Sequence, residues 1–110
     1  MPWTNQIDIA ITVTDENGII TEMNHASINV FAADGGAKLI GTDVLACHPE
    51  PSKTMLAEMY KKHQPNHYTI QKNGRKKIIH QLPLFEGSVF KGYVEISIPI
   101  PDTLPHHNRD

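Results

Sequence analysis

Ile7, Ile9, Ile11 and Val13 alternate with Asp8, Ala10, Thr12 and Thr14, the period of two that marks a strand with one buried face. Asp15-Glu16-Asn17-Gly18 supplies a turn in which Gly18 is free to take a positive φ, and the apolar-rich run Ile19 to Met23 resumes the strand. Residues 7 to 23 therefore read as a β-hairpin. Asn24 has the short acceptor side chain of an N-cap, and a helix over residues 25 to 33 would turn Ala26, Ile28, Phe31 and Ala32 to the core. Asp34-Gly35-Gly36 ends it, and Leu39, Ile40, Val44 and Leu45 anchor short helical turns around Gly41.

Pro51 is tolerated only at a helix edge and Ser52 can cap the amides beyond it, which predicts a longer helix over 53 to 63. Its apolar stripe is Met55, Leu56, Met59 and Tyr60. Two strands, His67 to Gln71 and Lys76 to Phe85, flank Lys72-Asn73-Gly74-Arg75, where Asn-Gly is a hairpin signal. A last strand from Val89 to Ile98 alternates Val94, Ile96 and Ile98 with Glu95 and Ser97, and Pro99 and Pro101 are expected to stop the ladder. The order predicts an α+β domain: a five-stranded antiparallel sheet with several short helices and one longer helix packed on one face. Residues 1–6 read as an N-terminal extension, 7–101 as the domain and 102–110 as a loose C-terminal tail.

Composition narrows the function classes. A chain of 110 residues forms one domain that hides roughly 65% of the surface its unfolded chain exposes. With 39% hydrophobic residues, 20% charged and a net charge of −2, it has no electrostatic case for nucleic acid. Lys61-Lys62 and Arg75-Lys76-Lys77 are short runs that read as solvated faces. No basic stretch followed by an apolar run opens the chain, and no apolar stretch nears the about 20 residues of a membrane span. A single cysteine fits a reducing compartment. A cytoplasmic protein with no membrane partner is the expectation.

The turn Asp15-Glu16-Asn17-Gly18, Ile19-Ile20, Asn24 with Ala26, Leu39-Ile40-Gly41 and the closing Gly92-Tyr93-Val94-Glu95 together resemble a PAS domain over residues 7 to 101. The run Cys47-His48-Pro49-Glu50-Pro51-Ser52, with Asn73-Gly74 and Gln81-Leu82-Pro83, is similar to small stand-alone prokaryotic PAS sensors. The resemblance implies a signal-transduction module with a cavity between sheet and helices, which in the family sometimes holds haem, flavin or a small metabolite. It also implies dimerisation through an N-terminal extension and the outer sheet face. Haem sensors of the family place an axial histidine five residues beyond a Pro-Glu-Pro; Leu56 stands there and cannot ligate iron, so haem held that way is disfavoured. His48, His67 and His80 remain conceivable ligands. The flavin photosensors carry a reactive cysteine where this chain has Val44, which disfavours covalent flavin.

The expected pocket lining is Ile28, Phe31, Leu56, Met59 and Tyr60 from the helices and Ile70, His80, Leu82, Val94 and Ile96 from the sheet. The same side chains could instead fill one another as a solid core. His80 would orient a carboxylate or carbonyl ligand, or bond Tyr60 or a backbone carbonyl. Cys47 is either a small buried hydrophobe or a redox-sensitive thiol near a helix N-terminus. Trp3, the one tryptophan, marks a dimer interface. No Cys-x-x-Cys or Gly-x-Ser-x-Gly pattern occurs and no His-x-x-x-His falls within one element, so neither a metal nor a catalytic role is expected. Two readings follow: a sensory module that binds an unidentified small ligand and signals by protein association, or a ligand-free dimerisation or adaptor module with a filled core.

Overall fold

A computed structural model describes residues 2–46 and 48–110. After a 3-10 turn at Trp3–Gln6 come β1 (Ala10–Thr14) and β2 (Ile20–Met23), then the short helix α1 (His25–Val30) and two further 3-10 turns. The longer helix α2 (Ser52–Lys62) leads into β3 (Asn66–Lys72), β4 (Arg75–Glu86) and β5 (Val89–Ile100). The strands form one antiparallel sheet in the order β2-β1-β5-β4-β3. The first and last strands thus meet in its middle.

Local chemistry explains the joints. Asp15 Oδ1 accepts from the backbone amides of Asn17 at 2.9 Å and Ile19 at 3.0 Å, closing the β1–β2 turn. Asn73 and Gly74 both take positive φ, 54° and 76°, which is what a two-residue hairpin between β3 and β4 requires. Asn24 caps α1 by accepting from Ser27 N at 3.0 Å. The same oxygen accepts from Ile11 N at 2.9 Å, and the amide nitrogen donates to Thr4 O at 2.7 Å and Ile9 O at 2.8 Å. One buried side chain thereby fastens the N-terminal segment, β1 and α1 together.

Several boundaries differ from those read in the sequence. Strand β1 begins at Ala10, so Ile7 and Ile9 precede the ladder. Helix α1 ends at Val30 and Ala32 is exposed, because Gly35 N bonds back to Ala32 O and Gly36 N to Phe31 O, tightening the chain into a 3-10 turn. Ser52 is the first residue of α2 rather than its cap; Pro51 takes the N-cap position without a side-chain bond. Pro99 does not stop β5, which pairs onward through Lys77↔Pro99 and Lys76↔Ile100. Pairing with β1 ends at Ala10↔Ser97, so beyond it β5 has a free edge where a missing donor costs no ladder bond.

The larger correction concerns which face is covered. In β1 the buried residues are Ala10, Thr12 and Thr14, and Ile11 and Val13 lie on the opposite face. The register carries this parity across the sheet. Thr12, Glu95, Gln81 and Asn66 form one row under the helices, and Ala10, Ser97, Ile79 and Tyr68 another. The outer face carries Val13, Val94 and Leu82 in one row and Ile11, Ile96, His80 and His67 in the next.

Candidate functional site

Under the helices the inner sheet face encloses two adjoining spaces. The smaller, about 60 Å³, is lined by Thr12 and Thr14 of β1, Leu56, Met59 and Tyr60 of α2, Gln81 of β4, and Tyr93 and Glu95 of β5. The larger, about 670 Å³, has Ala10, Ile20, Phe31, Leu39, Ile79 and Ser97 around it and opens past Tyr68, Ile70, Lys72 and Lys77. Thr12, Val44, His48 and Glu95 line both. The combined space falls in the range of about 300–1,000 Å³ typical of small-molecule sites.

The far wall is held by the segment after α1. Ile20 N donates to Thr42 O at 2.9 Å, Gly41 N to Ile20 O at 2.7 Å and Val44 N to Gly18 O at 2.9 Å, so residues 41 to 44 run along the free edge of β2. That brings Val44 and His48 over the sheet. His48 Nδ1 lies 2.6 Å from Val44 O, which fixes the ring as a donor at that nitrogen. Helix α2 is anchored from below: Tyr60 Oη bonds Thr14 Oγ1, and Tyr93 Oη bonds Met59 O at 2.7 Å and Gln64 O at 2.8 Å.

Most polar groups of the site are engaged within the protein. Thr12 Oγ1 and Ser27 Oγ are 2.6 Å apart, and Thr14 Oγ1 also accepts from Tyr93 N at 3.3 Å. Glu95 is the exception, its carboxylate receiving one long hydrogen bond, from Gln81 Nε2 at 3.3 Å. Burial pushes the Glu95 carboxyl above the ordinary carboxylate range, against the opposing effects of the Gln81 bond and the charge of His48. Burial likewise raises Tyr60 to about 12, with the Thr14 bond working in the other direction.

Of the residues expected to line a pocket, Leu56, Met59 and Tyr60 meet at the smaller space and Phe31 and Ile70 at the larger. Val44 and Leu56, the positions compared with flavin and haem attachment, both lie at the site. Ile28 belongs to neither lining; its Cγ2 sits against Gly36. Met55, expected in the apolar stripe of α2, is 63% exposed. His80, Leu82, Val94 and Ile96 are on the outer face, where His80 Nδ1 meets His67 Nδ1 at 2.8 Å. The strands alternate as expected, but the half that carries His80, Leu82, Val94 and Ile96 faces away from the helices. Cys47 lies outside the described residues. Trp3 is 68% exposed in the N-terminal turn.

Thr12, Thr14, Gln81 and Glu95 are the polar residues of the site's floor that sequence reasoning missed, and Ile20, Leu39, Ile79, Tyr93 and Ser97 of the lining were missed with them. Part of their signal was present: Glu95 stands in β5 at the parity opposite Ile96, Ile98 and Ile100, and Gln81 is its cross-strand neighbour in β4. Among the described residues no group of three or more His, Cys, Asp or Glu side chains is placed to hold a metal ion. No helix there is long and apolar enough to cross a membrane.

No family profile matches the chain, and no curated protein sequence matches it. Solved structures do. The PAS domain of Bordetella pertussis BvgS aligns with a TM-score of 0.60 at 17% identity, over 90% of this chain and 82% of that one. The PAS domain of nitrogen regulation protein NR(II) from Vibrio parahaemolyticus aligns at 0.58 and 14% identity, over 89% and 94%. The Aer2 receptor from Vibrio cholerae, described as a dual PAS-haem oxygen sensor, aligns at 0.61 and 16% identity, over 84% and 95%. At these identities the likeness is one of fold. Five antiparallel strands in this order, with the helices on one face, make the chain a PAS-like domain.

Proposed function

We propose that the chain is a sensory signalling module that takes a small, partly apolar molecule between the inner sheet face and the helices. The observation that carries this reading is the roughly 670 Å³ space beneath the helices, apolar on most sides and polar at its floor. None of the α2 side chains is fully buried, so the helix roofs a gap rather than a packed core. That favours a sensor over a ligand-free adaptor with a filled core. The state of the site passes to the outer sheet face, where the half-buried row of Val13, Val94 and Leu82 and its neighbour Ile11 and Ile96 suit association with a second copy or a signalling partner.

Haem is a second reading, since the Vibrio cholerae receptor of similar fold is described as a haem sensor and His48 lines the space here. The fit is poor. A porphyrin would lie against Glu95, Gln81 and Thr12, leaving a carboxylate and an amide buried against an apolar ring. Native mass spectrometry of the gently purified protein, with an absorbance scan, tests the proposal. A bound mass without a Soret band supports a small-metabolite sensor, a Soret band supports haem, and a clean apoprotein mass supports the adaptor.

A further inference from the structure

Resting on the reading of the inner space as a ligand site, we infer that its ligand is an amine: a small aliphatic or aromatic body whose protonated nitrogen donates to Glu95. The geometry singles out this residue. Glu95 stands on the central strand β5 where the two spaces join, and it lines both. An ionised carboxylate offers about four acceptor positions, yet the protein supplies one long bond, from Gln81 at 3.3 Å.

No salt bridge among the described residues reaches it, and the positive charge that acts on it is that of His48, an exposed ring. The ion pairs among the described residues are Lys62 with Glu58 and Lys91 with Glu86, both on the surface. Lys72 and Lys77 do line the larger space, but Lys77 is four residues along β4 from Gln81, the cross-strand neighbour of Glu95, and Lys72 is on β3. At about 3.3 Å per residue the backbones of Lys77 and Gln81 are roughly 13 Å apart. Thr12 is committed to Ser27, Thr14 to Tyr60 and the Nδ1 of His48 to Val44 O. A cation entering the space therefore meets the open Glu95 carboxylate at the floor, the other carboxylate of the lining, Asp34, being exposed, and its N–H bond to a carboxylate away from bulk water is of the strong, charge-assisted kind. The raised carboxyl pKa agrees, because burial disfavours the charged form by more than the Gln81 bond and the charge of His48 restore. Apolar walls at Ile20, Phe31, Leu39 and Ile79 would receive the body of the molecule.

Calorimetric titration of the full chain with three matched probes tests the inference: 2-phenylethylamine, 2-phenylethanol and 3-phenylpropanoate. The amine is expected to bind at least tenfold tighter than the carboxylate, and Glu95→Gln, which keeps the shape and the Gln81 contact, is expected to reduce that preference below threefold. Tighter binding of the carboxylate, or an undiminished preference in Glu95→Gln, would overturn the amine assignment while leaving a ligand site in place. If none of the probes binds and native mass spectrometry finds no bound molecule, the ligand site itself is refuted along with the amine.

Discussion

Tyr93 Oη lies 2.7 Å from the backbone carbonyl of Met59, at the end of α2, and 2.8 Å from that of Gln64 just beyond it. A residue of the central strand thus bonds backbone carbonyls at the C-terminal end of the helix, that of Met59 in addition to the His63 amide it accepts, and it does so through a ring packed 4.8 Å from that of Tyr60. The roof of the candidate site is tied to β5 at this point. Tyr93→Phe keeps the ring and removes the bond, so it should cost about 1–2 kcal/mol in urea denaturation. It should also speed hydrogen exchange at the last turn of α2 more than in β4. Unchanged exchange there would show that the hydroxyl does not hold the helix.

Among the described glycines Gly92 makes the closest approach. A Cβ on it would stand 2.0 Å from Thr14 O and 2.7 Å from Asp15 C, and its φ of 127° lies where side chains are strained. Backbone cannot yield as a flexible side chain would. Gly92→Ala is expected to destabilise the fold by more than about 3 kcal/mol, seen as a large fall in Tm or loss of soluble protein. A Tm within a few degrees of the parent would contradict this packing of β5 against the β1–β2 turn.

Glu95 predicts a pH dependence of definite sign. Its carboxyl is raised in the folded state above the ordinary value of 4.5, so the native protein holds the proton more tightly than the unfolded chain. The stabilisation associated with that proton is complete below the unfolded value and is lost as pH rises through the folded one. Glu95→Gln lacks this loss. The Tm of the variant relative to the parent should therefore increase from pH 4 to pH 7, measured by calorimetry without ligand. A constant difference would mean that the carboxyl is not perturbed.

Tyr60 acts at the alkaline end. With its phenol raised from 10.0 to about 12, chiefly by burial, the folded protein resists ionisation that the unfolded chain undergoes freely. Stability should fall as pH rises from about 10 towards 12. Tyr60→Phe should flatten this fall while lowering stability near neutral pH by about 1 kcal/mol, through loss of the Thr14 bond. An ultraviolet titration should then lose its latest phenolate step.

The sequence made the strands, the Asn24 cap and the Asn73-Gly74 turn legible because each depends on neighbours within a few residues. Alternation along β4 and β5 showed that the strands have two unlike faces. It could not show which face the helices cover, because that is decided by how residues 25 to 62 cross the sheet. Assigning Val94, Ile96, Leu82 and His80 to the inside followed from treating the apolar half as the core. In this fold the half under the helices contains Thr12, Gln81, Glu95 and Ser97, polar groups that a packed core would not retain and a ligand site can use. The helical part of the site, Leu56, Met59 and Tyr60, was found because its period of 3.6 has one apolar side.

Methyl-labelled NMR of the full chain, titrated with 2-phenylethylamine, tests the central claim most directly. The account predicts that the methyls of Ile20, Leu39, Val44 and Ile79, which line the inner space, shift with the probe while those of Leu82, Val94 and Ile96 on the outer face stay in place. Shifts confined to the outer-face methyls would contradict a ligand site between the sheet and the helices, and none at any methyl would contradict an amine ligand there.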